Sequence, residues 1–126
     1  MALCLTPLFS GSSGNAILVS SQRSKVLIDA GVSGRKLEEA LHSIGETVDD
    51  IKGILITHEH SDHIQGVGIL SRRYNIPVYA TAPTWEAACD KLGSVRSMLV
   101  RVIGKEPFYI DDLLIEPFEI PHDAAD

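Results

Sequence analysis

The sequence is poor in cysteine, has no long apolar run and carries no excess of positive charge. Its two cysteines, Cys4 and Cys89, stand far apart with no CxxC spacing. That argues against a disulfide framework or a thiolate metal site, and predicts two small buried side chains in a reducing cytosol. No apolar stretch nears the roughly 20 residues that span a bilayer. The opening "MALCLTPLFSGSSGN" also lacks the basic segment of a secretory signal, so a cytoplasmic protein with no membrane segment is expected. Eleven Lys and Arg face 17 Asp and Glu, a formal charge of −6. Such a balance speaks against broad electrostatic binding of nucleic acid, though not against one cationic, metal-loaded site.

What is present is an ordinary globular composition, 44% hydrophobic and 22% charged over 126 residues, enough for one modest core. "LCLTPLF" reads as a strand, followed by the turn-rich "SGSSGN", and "AILVS" with "KVLID" reads as a hairpin. Leu37, Ala40, Leu41 and Ile44 recur at helical steps, with Ser33 as cap and Gly45 at the C-terminal end. "GILIT" is a short continuous apolar run, the mark of a strand buried on both faces. A helix is predicted over 64–74; Gly66 and Gly68 weaken it by about 1 kcal/mol each unless close packing requires them. "PVYAT" is a strand, and Thr84 is a cap for a helix ending near Leu92. "SMLVRVI", "PFYI" and "LLIEPFEI" are further strands, with Asp111 and Asp112 at a hairpin turn. Mixed hairpin and strand–helix–strand order predicts a layered α/β (α+β) protein, its mixed sheet covered by helices. The chain stops just after delivering a histidine in "IPHDAAD", so the single domain 1–126 reads as a truncated one.

"THEHSDHIQG", directly after the buried strand, places His58, His60, Asp62 and His63 within six positions. In an extended segment, side chains at i, i+2 and i+4 share one side. His58, His60 and Asp62 would then face one pocket, with Glu59 and Ser61 turned away. His63 joins them if the backbone turns into a helix there. The C-terminal end of a buried strand is also where α/β sheets place ligands. Imidazoles and a carboxylate suit zinc, iron or manganese. Four donors in so short a loop exceed what one tetrahedral ion takes without strain. Pairing His58 with His60, and Asp62 with His63, gives half-shells for two ions, which two-metal hydrolases hold roughly 3.5–4 Å apart. His122 would complete three nitrogens around the first. The competing reading, polar surface histidines gathered by chance, suits an isolated residue such as His42 near a helix C-terminus better than this register.

"HEHSDH" resembles the H-x-H-x-D-H signature of the metallo-β-lactamase superfamily, and "VLIDAG" resembles the strand-end aspartate that precedes it. With "FSGSSGNA" near the start and "IPHDA" at the end, the whole chain resembles the YycJ-type (WalJ) branch of metallo-hydrolases. The resemblance implies the N-terminal half of an αββα sandwich. It implies His58, His60 and His122 on a first metal, Asp62 and His63 on a second, and Asp62 orienting the attacking water. It further implies a metal-bound hydroxide as nucleophile, zinc (or manganese or iron) as cofactor, and phosphodiesters, such as nucleic-acid ends, as substrate. Members of that family continue beyond this chain's last residue, with a bridging aspartate and a final histidine. The second site is therefore expected to be incomplete, and the chain alone weakly active or inactive.

Asp29 either hydrogen-bonds a metal-bound histidine's other ring nitrogen or is a turn aspartate before Gly31, and the sequence favours neither. Asp123, beside His122, reads as a similar supporting group. "SGSSGN" reads as a plain hairpin loop ahead of an anion-binding nest, Glu59 as an exposed carboxylate, and Arg72 and Arg73 as charges favoured by a helix end. Thioesters and lactams stay open as substrates, because ligands set the nucleophile and not the leaving group. A non-catalytic metal-binding or regulatory module is the alternative from another class. In either case half a sheet leaves an open edge, which predicts a homodimer or a partner half-domain.

Overall fold

The computed structural model of the chain describes residues 3–117. In β1 (Cys4–Phe9), β2 (Ala16–Ser20) and β3 (Lys25–Ile28), successive side chains take opposite faces. β2 is antiparallel to both neighbours, with Leu18 opposite Thr6 and Leu27, and Val19 opposite Leu5 and Val26. Leu18 and Leu27 belong to the larger core, while Val19 and Val26 line the other face. The chain then changes to strand–helix–strand order through α1 (Gly34–Ser43), β4 (Ile51–Leu55), α2 (Ser61–Ile64) and α3 (Val67–Tyr74). It continues with β5 (Val78–Thr81), α4 (Ala82–Leu92) and β6 (Val100–Ile103). Strands β3 to β6 are parallel, so one mixed sheet runs β1-β2-β3-β4-β5-β6 in chain order. A hairpin of β7 (Phe108–Ile110) and β8 (Leu113–Ile115) forms a separate sheet. The expected α/β architecture with a mixed sheet is thus borne out. Among the described residues, no helix is long and apolar enough to cross a membrane.

The larger core lies between helices and sheet, where Leu37, Leu41, Ile64 and Leu70 meet Leu27 and Ile54. On the opposite face the hairpin docks, burying Ile110 and Leu113 against Val26. Gly53 in β4 makes room for it: a Cβ there would lie 2.8 Å from the Tyr79 ring and 3.4 Å from Ile110. Tyr79 in turn stacks on Phe108, with ring centroids 5.5 Å apart. The turn falls where expected, with Asp111 at φ 53. Ser24 donates to the Asp111 carboxylate, and the Ser21 hydroxyl lies 2.9 and 2.8 Å from the two Asp112 oxygens.

α1 follows its sequence signals. Ser33 Oγ accepts the Lys36 N–H at 3.3 Å. At the other end Gly45, at φ 81, donates to His42 O at 3.0 Å and Glu46 donates to Leu41 O at 2.9 Å, which closes a Schellman motif. His42 is exposed, as expected.

Elsewhere packing overrode local pattern. The helix predicted over 64–74 is interrupted: α2 ends at Ile64 and α3 begins at Val67. A Cβ on Gly66 would lie 2.4 Å from Val32 O, and one on Gly68 would lie 2.1 Å from Leu92 O. Close backbone approach therefore explains both glycines. α4 is capped by Thr81, whose hydroxyl accepts the Thr84 N–H at 3.4 Å, while Thr84 is buried inside the first turn. Ser97–Leu99 forms a 3-10 turn ahead of β6 instead of extending it. Cys4 and Cys89 are exposed, contrary to expectation, because β1 is an edge strand and Cys89 sits off the Ala88–Leu92 face of α4. Arg72 reaches across to α4, donating to Leu92 O at 2.9 Å and Ser94 O at 3.0 Å, and Arg73 pairs with Glu38 at 3.1 Å.

Candidate metal centre

β4 is flanked by two parallel strands, and the chain leaves its C-terminal end into residues 56–60 before α2 begins. Asp29 follows β3 at the same end of the sheet, with its backbone in the left-handed region at φ 63. Aspartate tolerates that region better than most residues, and the cost is about 1 kcal/mol. Hydrogen bonds enforce it: Asp29 N–H donates to Leu55 O at 2.7 Å and Ala30 N–H donates to His63 O at 2.9 Å. The carboxylate, on a residue only 5% exposed, turns toward the 57–63 segment. Oδ1 accepts the Thr57 backbone N–H at 2.8 Å; Oδ2 accepts the Thr57 hydroxyl at 2.6 Å and His63 Nδ1–H at 2.7 Å. This explains why the strand expected to reach Thr57 ends at Leu55, since the Thr57 N–H goes to a side chain instead of a neighbouring strand.

The turn into α2 rearranges the expected register. His60 is the N-cap residue, and Asp62 and His63 lie in the first turn. His58 and His63 therefore converge, with ring centroids 4.6 Å apart, while His58 and His60 stand 6.1 Å apart. His60, with a side chain 50% exposed, places Nε2 3.4 Å from Glu59 Oε2. Glu59 was expected to be exposed, yet its side chain is only 14% so. Ligand-capable atoms of Asp29, His58 and His63 lie within 4.8 Å of one another. His63 Nε2 is 3.7 Å from Asp62 Oδ2. His122 and Asp123 lie outside the described residues.

Sequence reasoning missed Asn15, the last residue of "SGSSGN". Its backbone N–H donates to Asp62 O at 2.8 Å, and its side-chain amide donates to Asp62 O at 3.2 Å and Oδ2 at 3.1 Å. The same amide group braces its own loop by donating to Gly11 O at 3.0 Å and accepting from Gly11 N–H at 3.2 Å. Gly31 permits this approach, because a Cβ there would lie 1.7 Å from Asp62 O. The signal was available in the glycine of "DAG" and the asparagine closing the first loop, but neither names its partner. From the other side Lys91 Nζ donates to Glu59 O at 3.2 Å and ties the loop to α4.

The donor set fits a divalent cation. It consists of imidazole nitrogens and carboxylate oxygens, which zinc-type ions accept. With Nδ1–H donated to Asp29, neutral His63 keeps its lone pair on Nε2, the atom facing Asp62. Two ligands each about 2.1 Å from one tetrahedral ion stand about 3.4 Å apart, close to the separation observed here.

A mixed sheet with a histidine–aspartate loop at the strand ends defines a class, and comparison with known proteins identifies it. The family model described as the Metallo-beta-lactamase superfamily matches residues 10–125, and the chain belongs to that family. It is 39% identical over 128 residues to "Exodeoxyribonuclease YycJ" of Bacillus anthracis, covering 100% of this chain and 48% of that protein. It is 44% identical over 122 residues to "Exodeoxyribonuclease WalJ" of Streptococcus pneumoniae serotype 2 (strain D39 / NCTC 7466), covering 94% of this chain and 45% of that protein. The chain thus spans about half the length of these curated relatives. Among solved structures, "Rm3 metallo-beta-lactamase" superposes with a TM-score of 0.66 at 26% identity, over 87% of this chain and 49% of that one. The fold and family expected from "HEHSDH" are borne out. Divalent-metal binding is implied by the fold, and Asp29, His58 and His63 form a candidate site for it.

Proposed function

We propose that this chain carries the metal-binding part of a hydrolase that cleaves phosphodiesters at nucleic-acid ends. The observation that carries the reading is the Asp29-held His63, its Nε2 turned toward Asp62, in a chain similar to two named exodeoxyribonucleases. His58, His60 and His122 would hold a first ion, and Asp62 and His63 part of a second. Asp29 orients His63, and Asp123 would support His122. Zinc is the first choice, with manganese or iron as alternatives. A bound divalent cation supplies Lewis acidity and brings the pKa of a water to about 7. The chain's own residues do the positioning. Asn15 holds the Asp62 carboxylate where it can orient that water, and the bond between Asp29 and His63 sets which ring nitrogen faces the ion. With Nε2 beside the Glu59 carboxylate, His60 would ligate through Nδ1, or through Nε2 after its ring turned away from Glu59.

The test combines elemental analysis with cleavage of end-labelled DNA and bis-p-nitrophenyl phosphate, with a thioester run alongside. About one ion or fewer per chain is expected, since the residues present supply one site and part of another. Zinc-dependent phosphodiester turnover that His58→Ala abolishes would support the reading. Activity that survives both chelation and His58→Ala would overturn it, as would turnover of the thioester alone.

Self-association is a second expectation, supported by the sheet edges. β1 exposes Leu5 at 67% and β6 exposes Val102 at 63%. Light scattering that shows a monomer at high concentration would refute it. A cytosolic location agrees with two exposed thiols, which a reducing compartment keeps unpaired.

A further inference from the structure

Thr57 separates the buried strand from the histidine loop, and its side chain touches three of the groups that matter there. Its hydroxyl lies 2.6 Å from Asp29 Oδ2, 2.8 Å from His58 Nδ1 and 3.5 Å from His63 Nδ1. A hydroxyl has one proton to donate. At 2.6 Å from a carboxylate oxygen that proton belongs to Asp29, because two bare acceptors at that distance would repel. Toward His58 the Thr57 oxygen can then only accept, so His58 Nδ1 must carry a hydrogen and the lone pair of the neutral ring stays on Nε2. His63 arrives at the same state by direct donation to Asp29.

We propose that the Thr57 hydroxyl is a positioning group for the metal centre, relaying the hold of Asp29 to His58 so that one buried carboxylate sets the ligating nitrogen of two histidines. The inference rests on the proposed metal site but assigns a residue that the signature does not contain. It also accounts for an economy in the loop. Thr57 gives the Asp29 carboxylate two donors, one from backbone and one from side chain, and His63 gives it another. The backbone bond holds the loop, whereas the side-chain bond is the one that continues to His58. Replacing Thr57 by valine keeps the shape and the backbone bond and deletes only the relay; serine keeps the relay.

Nitrogen NMR of the imidazole rings in the metal-free 126-residue chain reads the inference directly. Wild type and Thr57→Ser are expected to carry the His58 proton on Nδ1, and Thr57→Val is expected to lose that preference while His63 keeps it. Competition titration against a zinc chelator gives a second reading. Thr57→Val should bind zinc about 10- to 100-fold more weakly, the range found when a ligand's outer partner is removed. Thr57→Ser should stay within about threefold of wild type. A wild-type His58 with its hydrogen on Nε2 overturns the inference, even should the valine variant fail to fold. Equal zinc affinity in the wild type and Thr57→Val overturns it as well. A wild type that binds no zinc sinks the metal reading itself, whereas a zinc-binding wild type matched by the valine variant sinks only the role given to Thr57.

Discussion

Gly31→Ala tests whether the metal loop is pinned by backbone contact. A Cβ at this position would sit 1.7 Å from Asp62 O and 2.8 Å from Asn15 N, whereas real Cβ contacts essentially never fall under 3.0 Å. The Asp62 carbonyl must retreat by at least the 1.3 Å between 1.7 and 3.0 Å. That carbonyl accepts the Asn15 N–H at 2.8 Å, and the next residue's carbonyl accepts the Ala30 N–H at 2.9 Å. A shift of that size takes the Asn15 bond past its limit and strains the Ala30 bond. At about 1 kcal/mol per hydrogen bond, with about 1–3 kcal/mol for overpacking, the loss is about 3–5 kcal/mol. For a domain of this size each kcal/mol lowers Tm by roughly 4 °C, so a fall of about 10–20 °C is expected in the metal-free protein. Should the loop detach instead of the whole domain unfolding, the loss appears as weaker zinc binding in the chelator competition. Gly104→Ala, where a Cβ meets nothing within 4 Å, is the control expected to change neither. A Gly31→Ala protein with wild-type Tm and wild-type zinc affinity would refute the reasoning.

Two further predictions concern the scaffold. The Ser21 hydroxyl holds the Asp112 carboxyl below its ordinary 3.8. A carboxyl depressed by folding contributes stability above its unfolded pKa and loses it as pH falls through the folded value. Ser21→Ala should therefore loosen the β7–β8 hairpin at neutral pH and differ progressively less from wild type as the pH falls below the ordinary carboxylate value, read as amide exchange; a difference that does not shrink in acid would count against the bond. Arg72→Met removes the cation that donates to Leu92 O and Ser94 O at the C-terminal end of α4. Bonds from a charged donor at a helix C-terminus suggest a loss of about 1–2 kcal/mol in urea unfolding, and an unchanged midpoint would show that water replaces the guanidinium at no cost.

Much of the fold was legible because its signals are local. Short apolar runs separated by a polar turn marked β2 and β3 as a hairpin, and three- and four-residue steps with Ser33 and Gly45 marked α1 to within a residue. The Asp111–Asp112 turn was equally plain. What failed did so where a distant element intervened. The predicted 64–74 helix gave way where Gly66 meets Val32 O, and the two cysteines expected inside lie exposed, one on an edge strand and one off the buried face of α4. In the site, spacing identified the loop, and the helix start that would bring His63 toward His58 is present. What spacing could not give is the arrangement of the rings, with those of His58 and His63 4.6 Å apart and His60 beside Glu59.

The sequence by itself determined the order of strands and helices, the family, and the short loop in which imidazoles and a carboxylate are concentrated. Side-chain periodicity and motif spacing act over a few residues, so no knowledge of distant contacts was needed. Only the tertiary structure decided which groups hold that loop in place. Asn15 meets Asp62 across 47 positions of sequence, and Asp29 meets Thr57 across 28. Those hydrogen bonds exist because the antiparallel pairing of β2 with β3 and the parallel pairing of β3 with β4 bring the start of β2 and the ends of β3 and β4 to one edge of the sheet, and no local pattern encodes a distance that the sheet must close.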